Sequence, residues 1–162
     1  MKNLLIVLCS VVLLLSGCAY FGYVKDPFTD IPVFSRVNER LYRGGRPKER
    51  GWQRLSDAGI RSVISLQGDS PKLRTVERMA QERGMAFFHL PMTVYAQPAE
   101  EQALRFLEIV LDKRNQPVFV QCSSGRDRTG AMIAFYRVVV DGWTIKQAYQ
   151  EARSLGFFPY HG

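Results

Sequence analysis

The chain has 162 residues, 46% of them hydrophobic and 23% charged, with a formal net charge of +7. That length suits a single domain with one core. No basic run with interleaved aromatics and no zinc-ligand spacing points to a nucleic-acid partner. The basic balance fits an anionic substrate or a phospholipid headgroup plane, although scattered solvated charge is the commoner cause.

Lys2 is followed by an apolar run from Leu4 to Leu15, broken only by Ser10. The run is too short for a permanent membrane span and starts at the N-terminus behind a basic residue, so residues 1–17 read as a secretory signal. It ends in Leu15-Ser16-Gly17-Cys18, which resembles the lipobox of bacterial lipoproteins. That resemblance implies cleavage before Cys18 and lipidation of that residue, because several acyl chains anchor stably where one is marginal. An ordinary signal peptide beside a free Cys18, or an uncleaved anchor, are the alternatives. Ala19 stands where an aspartate would favour inner-membrane retention by analogy with enteric lipoproteins, so the expected location is the periplasm-facing side of the outer membrane. Cys9 then leaves with the signal and Cys18 is lipidated. Cys122 becomes the sole free thiol of the mature chain, and no internal disulfide can form.

Residues 18–33, with Pro27 and Pro32 among aromatics, read as a tether, and residues 34–162 as the folded domain. "RLYRGGRP" (40–47) predicts a short strand ending in a glycine turn. Pro47 opens a helix to about Ala58, stopped by Gly59. "RSVISL" (61–66) is a β-branched run suited to a buried strand. Ser70-Pro71 starts a second helix ending at Gly84, and "AFFHL" (86–90) is another strand. Apolar residues recur at helical spacing over 98–114, and Pro117 leads into the strand "VFVQ" (118–121). The run 129–140, apolar on almost every side, predicts a helix surrounded by core. Residues 144–156 form a last amphipathic helix stopped by Gly156. Strands alternating with helices imply an α/β fold, a central mainly parallel sheet flanked by helices, whose ligands bind beyond the carboxyl ends of the strands. Cys122 follows a strand directly and is delivered to that edge.

Between Cys122 and Thr129, Ser123, Ser124 and Gly125 carry little bulk, so the backbone can curl until its N–H groups form a concave anion nest. The helix beginning near Thr129 adds its positive end. A thiolate inside that ring is stabilised by the same amides. Arg128 can complete the ring with a fork matching two phosphate oxygens. Nucleophile and charge clamp are then one loop, suited to in-line phosphoryl transfer to sulfur without a metal or other cofactor.

"CSSGRDRTG" resembles the C-x5-R-S/T-G signature of the protein tyrosine phosphatase superfamily, and the span from "NERLYRGGRP" to the final helix resembles its small atypical dual-specificity phosphatases, including bacterial members. The resemblance implies the dual-specificity phosphatase fold, with Cys122 as nucleophile and phosphocysteine carrier. It implies further that Arg128 binds phosphate and stabilises the transition state, and that the Thr129 hydroxyl helps the thiolate leave. Ser123, Ser124, Gly125, Arg126, Asp127 and Arg128 would line the phosphate. The implied partners are a phosphorylated protein, an inositol phosphate or a phosphoinositide.

Two departures stand out. The family places histidine before the cysteine, whereas this chain has Gln121, which can donate a hydrogen bond but never carry charge, so slower chemistry is expected. The family also supplies an aspartate acid about thirty residues upstream, yet between Glu82 and Glu100 there is no carboxylate. Asp127 is the first choice for the acid, at a loop position where myotubularin-type phosphatases carry an aspartate proposed for that role. Its bland alternative is a carboxylate that merely pairs with Arg126. Asp69 is the reserve, and Glu100, more simply a first-turn helix acid, the third.

Arg126 is expected either at the loop mouth as a second positive charge or in solvent. Arg43 and Arg46, flanking the double glycine, are expected to be solvated turn residues, with substrate contact as the alternative. His89 reads as a satisfied edge histidine, Tyr95 as a packing or pocket residue, and Met79, Met85, Met92 and Met132 as core filler. The rival to an enzyme is a catalytically weak phosphatase fold that binds a phosphorylated ligand; a thiol–disulfide oxidoreductase fits poorly, because no second cysteine lies in the motif.

Overall fold

Along the strand that delivers Cys122, every residue from Val118 to Cys122 is buried, and alternate side chains join different apolar clusters. Val118, Val120 and Cys122 face one layer of helices and Phe119 the other, as a parallel strand covered on both faces requires. The structure, a computed structural model, describes residues 30–93 and 98–158. In chain order its elements are β1 (Ser35–Arg36), β2 (Leu41–Gly45), α1 (Glu49–Asp57), β3 (Ser62–Ser65), α2 (Pro71–Gln81), β4 (Ala86–His89), α3 (Glu100–Leu111), β5 (Val118–Cys122), α4 (Asp127–Val139) and α5 (Ile145–Ser154).

The strands form one sheet in the order β1-β2-β5-β3-β4. β2, β5, β3 and β4 run parallel, and only β1 is antiparallel to its neighbour. The mainly parallel α/β sheet expected from the alternation of elements is therefore present. Trp52 and Leu55 of α1 with Val76, Met79 and Ala80 of α2 pack on the Phe119 face. Phe106, Ile109 and Val110 of α3 with Met132, Ile133 and Tyr136 of α4 pack on the other. Each such side chain, fully buried, contributes about 1.5–3 kcal/mol before entropy is counted. Met79, Met85, Met92 and Met132 all lie in these clusters, as core filler should.

Local signals hold at most boundaries. Ser70 accepts the Leu73 N–H at 3.3 Å to start α2, and Thr144 and Gln147 cap α5 reciprocally. The stops at Gly59, Gly84 and Gly156 all have positive φ.

Several boundaries differ from the expectation. Pro47 precedes α1 rather than opening it, with Lys48 at the N-cap. α3 ends at Leu111, because Asp112 turns extended and its carboxylate takes the Arg114 N–H at 2.9 Å. α4 begins at Asp127, two residues early, and is not surrounded by core at its far end, where Val139 is 54% exposed. The packed chain also starts before residue 34: Ile31, expected in the tether, is 1% exposed against Trp52's cluster. The rest of the expected tether, the signal segment and Cys18 lie outside the described residues. Among the described residues no helix is long and apolar enough to cross a membrane.

Candidate active site

β2, β5, β3 and β4 all finish at one edge, and the turn between β5 and α4 lies on it. Cys122 ends β5 and is 1% exposed, so its sulfur is shielded from bulk water. Ser123, Ser124, Gly125 and Arg126 make the turn. The Gly125 N–H donates to Cys122 Sγ at 3.2 Å, an amide aimed at the sulfur as a thiolate site requires. The first bond within α4 runs from Gly130 N–H to the Arg126 carbonyl at 2.8 Å. The amides of Asp127, Arg128 and Thr129 therefore have no intrahelical acceptor and gather positive potential at the turn.

The double glycine explains how the turn is held. Gly44 and Gly45 are not a turn, as expected from the sequence, but the last two residues of β2, paired with Gln121 and Cys122. A Cβ on Gly45 would lie 2.9 Å from the Ser124 carbonyl, so only glycine lets the loop press onto the strand. Gly125 makes the reciprocal approach with φ +76°, and any Cβ there would fall on the backbone of Gly44 and Gly45. The Arg46 N–H donates to the Ser123 carbonyl at 3.3 Å and closes the join.

Arg128 leaves the first turn of α4 and is held at three points. Its Nη1 donates to the carbonyls of Leu66 at 3.3 Å and Met92 at 3.5 Å, and its Nη2 to Ser123 Oγ at 3.2 Å. The guanidinium is thus fixed between the ends of β3 and β4 and the phosphate loop itself. Thr129 is buried, and its Oγ1 has no hydrogen-bond partner among the described residues. A buried hydroxyl left so is costly unless a bound group or the sulfur uses it.

Two buried residues, Arg43 and Gln67, support the loop. Arg43 is not a solvated turn residue: it is 1% exposed and its guanidinium donates to the Gly125 carbonyl. Gln67 was not singled out from the sequence, yet it links the whole edge. Arg46 Nη1 donates to Gln67 Oε1 at 3.1 Å, Gln67 Nε2 to Gln121 Oε1 at 2.9 Å, and Gln121 Nε2 to Ser65 Oγ at 2.8 Å. Gln121, buried beside Cys122, is therefore a satisfied neutral link in a hydrogen-bonded chain. Arg46 is correspondingly half-buried and bonded rather than simply solvated. His89 is the satisfied edge histidine expected, with Nε2 donating to the Gln67 carbonyl at 2.8 Å.

The acid candidates are distributed as follows. Asp127 does not pair with Arg126; its Oδ1 accepts the Phe158 N–H at 3.1 Å. Arg126 is exposed, with its stem against Gly156. Asp69 sits in the turn after β3, 91% exposed, with Oδ1 3.9 Å from His89 Nδ1. Glu100 is the exposed first residue of α3. Tyr95 lies outside the described residues. No cluster of three or more metal-ligating side chains occurs among the described residues.

A sulfur facing loop amides at a helix head, with a clamped arginine six residues on, can bind a phosphoryl group and attack it. The comparisons agree with that chemistry. Residues 23–157 match the family model described as "DSP-PTPase phosphatase fused to NAD+ Kinase", and the chain belongs to that family of atypical dual-specificity phosphatases in the protein tyrosine phosphatase superfamily. It is a phosphatase. Among similar proteins, the "Probable tyrosine-protein phosphatase DG1060" of Dictyostelium discoideum is 27% identical over 124 residues, 74% of each chain. An inositol diphosphatase of Arabidopsis thaliana is 26% identical over 124 residues, 74% of this chain and 60% of that one. The solved catalytic core of the Saccharomyces cerevisiae PP-IP phosphatase Siw14 superposes with a TM-score of 0.70 at 24% identity, covering 81% of this chain and 80% of that one. The Pseudomonas aeruginosa TpbA structure gives 0.67 at 25% identity over 79% and 76%.

Proposed function

We propose that Cys122 carries the phosphoryl group during hydrolysis of a phosphomonoester. The Cys122 thiolate attacks phosphorus, the bond to the leaving oxygen breaks, and that oxygen takes a proton from an acid. Water then attacks phosphorus and gives a proton back to that acid, the S–P bond breaks, and inorganic phosphate leaves. Arg128 and the amides from Ser123 to Arg128 hold the equatorial oxygens, and the Thr129 hydroxyl stabilises the departing thiolate. Asp127 is the acid: the Phe158 amide occupies Oδ1, which leaves Oδ2 to carry the proton. No metal takes part in this scheme. The observation that carries the reading is the Gly125 amide on Cys122 Sγ at the head of α4, six residues before a three-point-fixed Arg128.

Two variants test it. Cys122→Ser is expected to lower turnover of an aryl phosphate by about 10⁴-fold or more while inorganic phosphate still binds, and retained turnover would remove Cys122 from the mechanism. Asp127→Asn is expected to slow an alkyl phosphate at least about tenfold more than an aryl phosphate, whose leaving oxygen needs little protonation. Equal losses on both would rule out Asp127 as the acid.

The substrate class proposed is a phosphorylated protein or an inositol phosphate or phosphoinositide, in line with the tyrosine-protein and inositol phosphatases among the relatives. We also propose that the chain is exported and lipid-anchored through Cys18 toward the periplasm, on the apolar run Leu4–Leu15 and the small residues before that cysteine.

A further inference from the structure

The chain enters the described domain at the site. Asp30, the first described residue, accepts the Lys48 N–H at 2.8 Å, and Pro32 accepts the Gly45 N–H at 2.6 Å. Gly45 is the residue on which Ser124 of the phosphate loop rests, so only Gly45 separates the incoming segment from that loop. Residues 19–29, between Cys18 and Asp30, span about 40 Å when fully extended, close to the diameter of a domain this size. A lipid on Cys18 thus pulls on the edge that carries the site, and the opposite edge, where the strands begin, is the far side.

The charge of that edge fits a lipid surface. Lys48 at the head of α1 and Lys72 in the first turn of α2 are exposed there, beside half-buried Arg46 and exposed Arg126. Of the acids nearby, Asp30 pairs with Arg54 at 3.6 Å, Glu49 with Arg83 at 2.9 Å and Asp127 holds the Phe158 amide, while Asp69, Glu100 and Glu101 are exposed. Phe158, 61% exposed at the same place, adds an apolar handle. We infer that the phosphate-loop edge is a docking face for an anionic bilayer, which brings the loop onto phosphomonoesters displayed at that surface. The inference rests on reading Cys18 as the anchor, while the basic face can be measured without it.

The test uses the mature chain from residue 18 with Cys18→Ser, so that no acyl chain contributes, co-sedimented with vesicles of phosphatidylcholine alone or with about 30 mol % phosphatidylglycerol. Binding is expected to the second vesicle only and to be released by salt. Lys48→Glu and Lys72→Glu are each expected to weaken it at least about fivefold, whereas Lys113→Glu, the same charge change at the opposite edge, weakens it less than about twofold. Lys48→Glu keeps its aryl-phosphate turnover in vesicle-free buffer, which separates a lost docking face from a lost enzyme. Equal binding to both vesicles, or an equal loss in Lys113→Glu, would overturn the inference. Acylation of Cys18 is read separately, from the mass of the membrane-extracted wild-type chain.

Discussion

Arg43 shows what a single residue can do that its neighbours in sequence conceal. In "LYRGGRP" it alternates with Leu41 on a strand whose ends look exposed, and a charged side chain there is ordinarily solvated. Its burial becomes visible only when β5 pairs with β2 and carries Gly125 over it, across 82 residues of chain. The guanidinium then supplies the donor that a buried carbonyl needs. Arg43→Met is expected to destabilise the fold by about 2 kcal/mol in urea unfolding and to lower kcat/KM by about a hundredfold, with partial recovery in Arg43→Lys. Wild-type kcat/KM in the Met variant would show that the loop holds its shape without this donor. Cys122 and Arg128, by contrast, stand out from spacing alone, because one stretch of seven consecutive residues holds both. Asp127 stands between these cases: its motif position was plain, but its bond to Phe158 joins residues 31 apart and carried no local signal.

Among the elements, β5, β2 and α4 build the site, and the bounds of β2 and α4 differed from their sequence patterns. The glycines of β2 suggested a turn because glycine punctuates chains, yet their use is close approach of a second backbone. Gly45→Ala is expected to leave the far-ultraviolet circular dichroism intact and lower kcat/KM by about a hundredfold by lifting Ser124. Undiminished activity would mean that the loop tolerates the shift. α4 starts earlier than its apolar pattern because Asp127 and Arg128 are polar residues in its first turn, where they serve the site rather than the core. Its other end is tied down by Arg137, which donates to Glu151 of α5 at 2.7 and 3.1 Å and to Asp141 at 2.7 Å, and lies 4.4 Å over the Trp143 ring. Burial works against the charge of Arg137, but these carboxylate bonds outweigh it and hold the guanidinium above its ordinary pKa. Glu151→Gln is expected to lower stability by about 1–2 kcal/mol in thermal or urea unfolding, with aryl-phosphate kcat within about twofold. No change in stability would show the pair to be neutral.

Across the whole molecule, the alternation of strand and helix patterns was enough for a mainly parallel sheet with its site at the carboxyl edge. What stayed hidden was long-range: the two-residue β1, the burial of Ile31, and the chain from Arg46 through Gln67 and Gln121 to Ser65. Hydrophobic periodicity reports which face is buried; it is silent on which glutamine meets which once two strands are paired. That polar chain ties the ends of β2, β3 and β5 together beside Cys122, at the edge that carries the candidate site. The claim on which this rests is that Cys122 is phosphorylated in every cycle. Acid quench during aryl-phosphate turnover, followed by mapping of the labelled peptide, should find the phosphoryl group on Cys122. A phosphoryl group on any other side chain, or none trapped while turnover proceeds undiminished in Cys122→Ser, would contradict it.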